Sequence, residues 1–246
     1  MRDEGPLAET GTDWGATRSA EAGGRSPLAS IPVSASIPES ASAGGACLPA
    51  LVGVLALQGG FEAHARMLRG LGATVREVRT PADLERIEGL VIPGGESTTM
   101  TLGIEREGLG EPLRELIADQ PADGRGGIGG IPVLGSCAGL ILLDREHLGL
   151  MDIRAERNAF GRQIKSFEAD VELRGIAGGP LRGVFIRAPW IAEHGPGVEI
   201  LGEVDGHAVA AREGERLAVA FHSELTADDR LHRLLLDAVA RRRAHA

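Results

Sequence analysis

The chain has 246 residues, of which 43% are hydrophobic but only 3% aromatic, with no Tyr, so a sizeable core must be packed by aliphatic side chains. A formal net charge of −9 excludes the basic excess that a phosphate-tracking surface needs, and no nucleic acid is expected as a partner. No run of about 18 apolar residues is present and no membrane span is expected; the two cysteines, Cys47 and Cys137, make no disulfide framework, so a reducing, cytoplasmic setting is the expectation.

Residues 1–48 are rich in Ala, Gly, Ser, Pro and Thr and carry no apolar periodicity, which predicts a disordered N-terminal extension. Arg2, Asp3 and Glu4 mix signs and no apolar segment follows, unlike a signal peptide. Residues 49–246 are expected to form one α/β domain. Leu51–Leu57 is a near-continuous apolar run, as in a parallel strand buried on both faces. After Gln58-Gly59-Gly60, helical spacing runs from Phe61 to Leu71 and Gly72 ends it. Ala73–Val78 reads as a strand, Thr80-Pro81 as the cap and first position of a short helix, and Gly89–Ile92 as a third strand. Helical pieces follow at Thr98–Arg106 and Leu109–Asp119, then a Pro/Asp/Gly-rich loop over Gln120–Gly130. Ile131 to Leu134 forms another strand, which turns sharply at Cys137 into a helix from Leu140.

Strand–helix alternation of this kind predicts a doubly wound, mostly parallel sheet flanked by helices, flavodoxin-like in layout. In the second half Glu168–Leu173, Val198–Val204, His207–Arg212 and Arg216–Phe221 alternate and read as antiparallel strands added on one side, and Val184–Arg187 is a further strand. Thr226 is expected to cap a last helix from Asp228 to about Arg242, with Leu231, Leu234, Leu235 and Val239 as its buried stripe; Arg241-Arg242-Arg243 in its last turn suit the dipole.

The chemistry-bearing residues fall at strand ends, where such sheets carry their sites. Gly135-Ser136-Cys137-Ala138-Gly139 has the form of a nucleophile elbow with cysteine in place of serine; a packed core cysteine fits the same pattern. A thiol nucleophile needs a base and a group to orient it. His222, just past the Leu217–Phe221 run, has Glu224 two positions on, and in a strand positions i and i+2 share a face. A surface His beside a surface Glu is the plainer alternative. Pro93-Gly94-Gly95-Glu96-Ser97 exposes backbone N–H groups at a strand-to-helix corner; those of Gly95 and Ala138 could form an oxyanion hole, and an ordinary tight turn is the alternative. There is no Walker lysine and no metal-ligand spacing, so neither metal nor cofactor is expected.

Taken together, G-S-C-A-G, P-G-G-E-S-T-T-M and F-H-x-E-L resemble a class I (triad) glutamine amidotransferase domain. V-L-A-L-Q-G at 54–59, E-R-N-A-F-G-R-Q at 156–163, S-F-E-A-D at 166–170 and G-V-F-I-R-A-P at 183–189 are similar to the glutaminase subunits of pyridoxal 5′-phosphate synthase, from about Val52 to the C-terminal helix. The resemblance implies that Cys137 attacks the amide of L-glutamine, with His222 as base, Glu224 as its orienter and Gly95 and Ala138 as oxyanion donors. It also implies substrate contacts from Gly95, Glu96, Ser97, Arg157, Ile186 and Arg187. A carboxylate for the ammonium and arginines for the carboxylate suit a zwitterionic amino acid. Ammonia would pass to a separate (β/α)₈ synthase subunit in a large hetero-oligomeric complex, with Gln58 a candidate for that interface.

The chain departs from the family pattern at Ser223, where proline is usual, and at Ser136, where threonine is usual; the N-terminal 48 residues and the Gln120–Gly130 insert are extra, and the Asp144–Leu150 loop is shorter. Two alternatives stay open: a weak or silent scaffold subunit of the same complex, and a stand-alone cysteine hydrolase.

Overall fold

The computed structural model describes residues 48–118, 130–157 and 166–245. The expected N-terminal extension, Cys47, the body of the Gln120–Gly130 loop and residues 158–163 of the E-R-N-A-F-G-R-Q stretch lie outside the described residues. The first half alternates as its sequence predicts: β1 (Leu51–Leu55), α1 (Phe61–Gly70), β2 (Thr74–Val78), a short 3₁₀ turn at Pro81–Leu84, β3 (Gly89–Ile92), α2 (Ser97–Arg106), α3 (Gly110–Ile117), β4 (Val133–Ser136) and α4 (Ala138–Leu143). The second half holds β5 (Ile153–Glu156), β6 (Ser166–Val171), β7 (Leu181–Ile186), β8 (Trp190–His194), β9 (Glu199–Val204), β10 (His207–Glu213), β11 (Arg216–Val219) and α5 (Arg230–His245).

The main sheet runs β2-β1-β3-β4-β11-β10-β8-β5, with β9 paired to β10. Its strands β2, β1, β3, β4 and β11 are mutually parallel. The rest, β10, β8, β5 and β9, are antiparallel to their neighbours. Val52, Val54, Leu90, Val91, Ile92 and Leu134 are fully buried, as a central parallel strand requires. The helix α1 packs on β1 and β2, and α5 on β3 and β4.

Three expectations need correction. Arg216–Phe221 is not an added antiparallel strand against the first half: β11 runs parallel to β4, Arg216 opposite Val133 through Val219 opposite Ser136. The β10–β11 hairpin reverses the chain, so one strand is antiparallel to β10 and parallel to β4, and alternation does not encode that difference. Second, β6 and β7 form their own two-stranded sheet. Third, the last helix begins at Arg230, and Asp228, not Thr226, accepts the Arg230 N–H at 3.1 Å; the Thr226 hydroxyl accepts the Asp228 N–H one step earlier. The strands β5 and β8 were not foreseen. Arg243 does more than suit a helix dipole: it pairs with Glu88 at 2.6 Å and donates to the Leu48 carbonyl, tying α5 to the start of the domain.

The separate hairpin meets the main sheet through aromatic rings. Phe167 stacks on Phe185 at 4.6 Å between centroids and Phe185 tilts against Phe221 at 5.4 Å. Phe185 and Phe221 are fully buried, which contributes about 1.5–3 kcal/mol each and fixes the chain just before His222.

Candidate active site

The elbow forms because small residues surround it. β4 ends at Ser136, and Cys137 takes φ 49° and ψ −102° before α4 starts. A positive φ at a residue with a Cβ costs on the order of 1–3 kcal/mol and persists only where packing holds it. Here the Cys137 N–H donates to the Val219 carbonyl at 2.8 Å, and every residue of α4 is buried. A Cβ at Gly139 would lie 2.0 Å from the Ile92 carbonyl oxygen, so only glycine lets the helix approach β3. Cys137 is free and buried at the rim.

His222 follows β11. Its N–H donates to the Val184 carbonyl at 2.8 Å, so β7 holds its backbone. Residues Ser223–Leu225 then form a 3₁₀ turn. The expected pairing is present, with His222 Nδ1 2.7 Å from Glu224 Oε1, but the reason differs: the two side chains meet across a helical turn, not along one face of a strand. Burial pulls the His222 pKa down, but the Cys137 sulfur and the Glu224 carboxylate outweigh it through hydrogen bonds and charge and push it up to about 10. Burial raises the Glu224 pKa, and the His222 hydrogen bond and charge, with the polar contact of His64, override it, holding the carboxyl well below the usual range.

The Pro93–Ser97 corner is fixed from β1. The Gly60 N–H donates to the Gly94 carbonyl at 3.0 Å and the Glu96 N–H to Gln58 Oε1 at 2.7 Å. Because a trans peptide sets its C=O and N–H in opposite directions, the Gly95 N–H points away from Gly60. A Cβ at Gly94 would lie 2.2 Å from His222 Cε1, so this glycine makes room for the imidazole. Glu96 caps α2: its carboxylate accepts from the N–H groups of Thr98 (3.1 Å) and Thr99 (2.7 Å) and from the Thr99 hydroxyl. Those bonds, the Thr99 hydroxyl first, pull its pKa down to about 2.

One pocket of ≈ 130 Å³ collects most of the sequence-selected residues: Gly95, Glu96, Ser97, Cys137, Ala138, Arg157, Ile186 and Arg187, with Ile141 and Pro189. His222 and Glu224 sit behind Cys137 rather than on the pocket wall, and Gln58 lies outside it, against the Glu96 N–H. Arg187 takes φ 45°, a second strained backbone beside the same pocket. Arg157 donates to the Thr98 hydroxyl at 3.3 Å and to His147 Nε2 at 3.0 Å, and His147 Nδ1 lies 2.7 Å from the buried Asp144. A larger cavity of ≈ 420 Å³ opens at the opposite edge, against Val133, Arg216 and α5, and none of the selected residues lines it.

Sequence reasoning missed the groups behind Glu224. His64 on α1 and His232 on α5 are fully buried, and the Ser136 hydroxyl completes the cluster. The signal was available: each histidine stands inside an apolar stripe, His64 beside Ala65 and Leu68, His232 beside Leu231 and Leu235.

A mostly parallel sheet with this elbow and this added antiparallel half has the fold of the glutamine amidotransferases. A crystal structure of a glutamine amidotransferase is 41% identical, covers 77% of this chain and 98% of its own, and superposes with a TM-score of 0.67. The structure of PurLQS from Thermotoga maritima, 14% identical over 79% of this chain and 99% of its own, shares the fold at a TM-score of 0.58. Within that class the chain belongs to the SNO glutamine amidotransferase family, whose model matches residues 54–241. It is similar to the curated pyridoxal 5′-phosphate synthase subunit PdxT of Acidothermus cellulolyticus, 50% identical over 203 residues, which covers 77% of this chain and 93% of the relative. The subunit PdxT of Pelotomaculum thermopropionicum is 51% identical over 197 residues, 77% of this chain and 95% of that relative.

Proposed function

We propose that this protein is a glutaminase that hydrolyses L-glutamine to L-glutamate and ammonia and supplies the ammonia to a pyridoxal 5′-phosphate synthase subunit for vitamin B6 synthesis. The observation that carries the reading is Cys137 at a strained elbow, backed by the His222–Glu224 pair at 2.7 Å and opening on a pocket shared with Glu96, Arg157 and Arg187.

In this reading His222 takes the Cys137 thiol proton, and the sulfur attacks the side-chain amide carbon of glutamine. The N–H groups of Gly95 and Ala138 receive the oxyanion. The imidazolium gives its proton to the departing ammonia, leaving a glutamyl thioester. Water, deprotonated by the same imidazole, then releases glutamate and restores the thiol. Glu224 holds the tautomer and stabilises the imidazolium between the two proton transfers. Glu96 spends three acceptor positions on Thr98 and Thr99 and keeps lone-pair capacity for the substrate ammonium. Arg157 spends two of its five donors on Thr98 and His147 and has others for the substrate carboxylate. Free ammonia would protonate and diffuse away, which favours delivery within a complex. The barrel-shaped synthase, the large assembly, a docking role near Gln58 and a cytoplasmic setting belong to the same proposal. None of the helices among the described residues is long and apolar enough to cross a membrane.

The test is release of glutamate from glutamine, with and without the synthase subunit, by the native chain and by Cys137→Ala. Activity in the complex that disappears in the variant supports the reading. Silence of the native chain in both conditions favours a scaffold, and hydrolysis of small peptides in place of glutamine favours a stand-alone hydrolase.

A further inference from the structure

The hydrogen bond to His222 uses only one oxygen of Glu224. Its Oε1 is hydrogen-bonded to His222, while Oε2 is buried with no hydrogen-bond partner and lies 3.4 Å from His64 Nε2, at ion-pair distance, both side chains being buried. The same His64 nitrogen is 3.1 Å from the Ser136 hydroxyl, one residue before Cys137. On its other side His64 Nδ1 is 2.8 Å from His232 Nε2, the two rings tilted at 41°. The chain of contacts thus runs from α5 through α1 to the carboxylate and to the end of β4. We propose that His64, oriented by His232, is a positioning residue that holds the second oxygen of Glu224 and so aims His222 at Cys137. The proposal rests on the glutaminase reading above.

The hydrogens can be placed by satisfying each buried nitrogen in turn. Ionised Glu224 only accepts, so His64 Nε2 carries the hydrogen; it bonds the Ser136 oxygen and lies on the side of the carboxylate. In neutral His64 the Nδ1 atom is then an acceptor, which requires His232 to donate from Nε2. His232 Nδ1 is left as a bare lone pair, and that atom is buried without a partner. The reverse arrangement, with His64 donating to His232, would turn His232 Nδ1 into a buried N–H with no acceptor, the costlier orphan. Burial pulls the His232 pKa down to about 4, which keeps that ring neutral near pH 7. Around the pair, the titratable and charged groups are Glu224 and, beyond it, His222 on the turn after β11, and Asp229 near the start of α5.

A polar N–H 3.4 Å behind the carboxylate acts on it electrostatically in two ways. It keeps Glu224 ionised in a dry site, and it fixes the plane of the carboxyl so that Oε1 stays on His222. Without it, Glu224 takes up a proton at higher pH and loses its aim. Leucine at position 64 keeps volume and removes the donor, while glutamine places an N–H close to where Nε2 lies. Rates are read with the synthase subunit present. His64→Leu is expected to lower kcat about 10- to 100-fold, the scale of a lost polar contact to a buried charge, with KM for glutamine little changed. The acid limb of its kcat profile should move to higher pH. His64→Gln should recover most of kcat and the native acid limb, and His232→Leu should fall between.

A second readout does not depend on the substrate: the pH dependence of Cys137 alkylation by iodoacetamide should move upward in His64→Leu and stay near native in His64→Gln. If the native chain is inactive on glutamine, the glutaminase reading fails, and the alkylation profile alone decides the role of His64. Native kcat and an unmoved alkylation midpoint in a folded His64→Leu would overturn the proposal. So would equal impairment in His64→Gln and His64→Leu with equal loss of thermal stability, which marks a packing role only.

Discussion

Ser223 separates the base from its carboxylate, and its hydroxyl is buried with no hydrogen-bond partner. An unsatisfied buried hydroxyl costs about 1–3 kcal/mol, since water has been removed and nothing replaces it. Ser223→Ala deletes that atom and leaves a space smaller than a methyl group, so the net gain should be about 1 kcal/mol. For a domain of this size that raises Tm by about 2–4 °C. Ser223→Pro should raise it further. Position 223 is the first residue of the 3₁₀ turn, where proline suits the backbone, and His222 before it, at φ −99° and ψ 93°, lies outside the α region that a following proline disfavours. Proline also restricts the unfolded chain, adding about 0.4–1 kcal/mol. Neither change touches the His222–Glu224 contact at 2.7 Å, so glutamine hydrolysis should stay within about twofold of native. Thermal unfolding followed by circular dichroism, in matched buffers, measures the shift. A lower or unchanged Tm in Ser223→Ala would refute the reasoning, because it would mean that the hydroxyl has a partner that it loses.

Gly94→Ala places a Cβ 2.2 Å from His222 Cε1, so the imidazole must move; kcat should drop at least about 100-fold in a chain that still folds, read by glutamate release and circular dichroism. Glu224→Gln keeps the shape but removes the charge, so the acid–base pair weakens and kcat should fall by about 100-fold or more while KM changes little. Stability should depend on pH through His222: its folded pKa of about 10 lies above the ordinary 6.5, so its contribution is complete below about 6.5 and is lost as pH rises toward 10. Urea unfolding at pH 6 and pH 10 should show that loss in the native chain and a smaller one in His222→Gln. Phe185→Ala should cost about 3–5 kcal/mol, because the ring is fully buried between Phe167 and Phe221 and carries the hairpin that holds His222.

The first half of the fold was legible because its strands are buried on both faces and its helices carry glycine or proline at their ends. Gly72 at φ 87° after α1 is an example. The second half was less so. β5 and β8 are short and half-exposed, and alternation could not tell that β11 pairs parallel to β4 on one side and antiparallel to β10 on the other. At the site, Cys137 is legible from its local pattern and Glu96, Arg157 and Arg187 from the family resemblance; all four line one pocket. Glu96 proved to be a helix cap as well, a role that its place two and three residues before Thr98 and Thr99 could have suggested. His64 and His232 are not legible from carboxylates adjacent in sequence, because His64 lies 160 positions from Glu224. Only the packing of α1 and α5 against the turn after β11 brings those groups together.

Acid-quenched mass spectrometry of the Cys137 peptide, taken during turnover of glutamine with the synthase subunit present, is the most direct measurement of the central claim. The account predicts a glutamyl thioester on Cys137 that forms before glutamate accumulates and is absent in Cys137→Ala. Steady glutamate release with Cys137 unmodified throughout, or with the adduct on another residue, would contradict it.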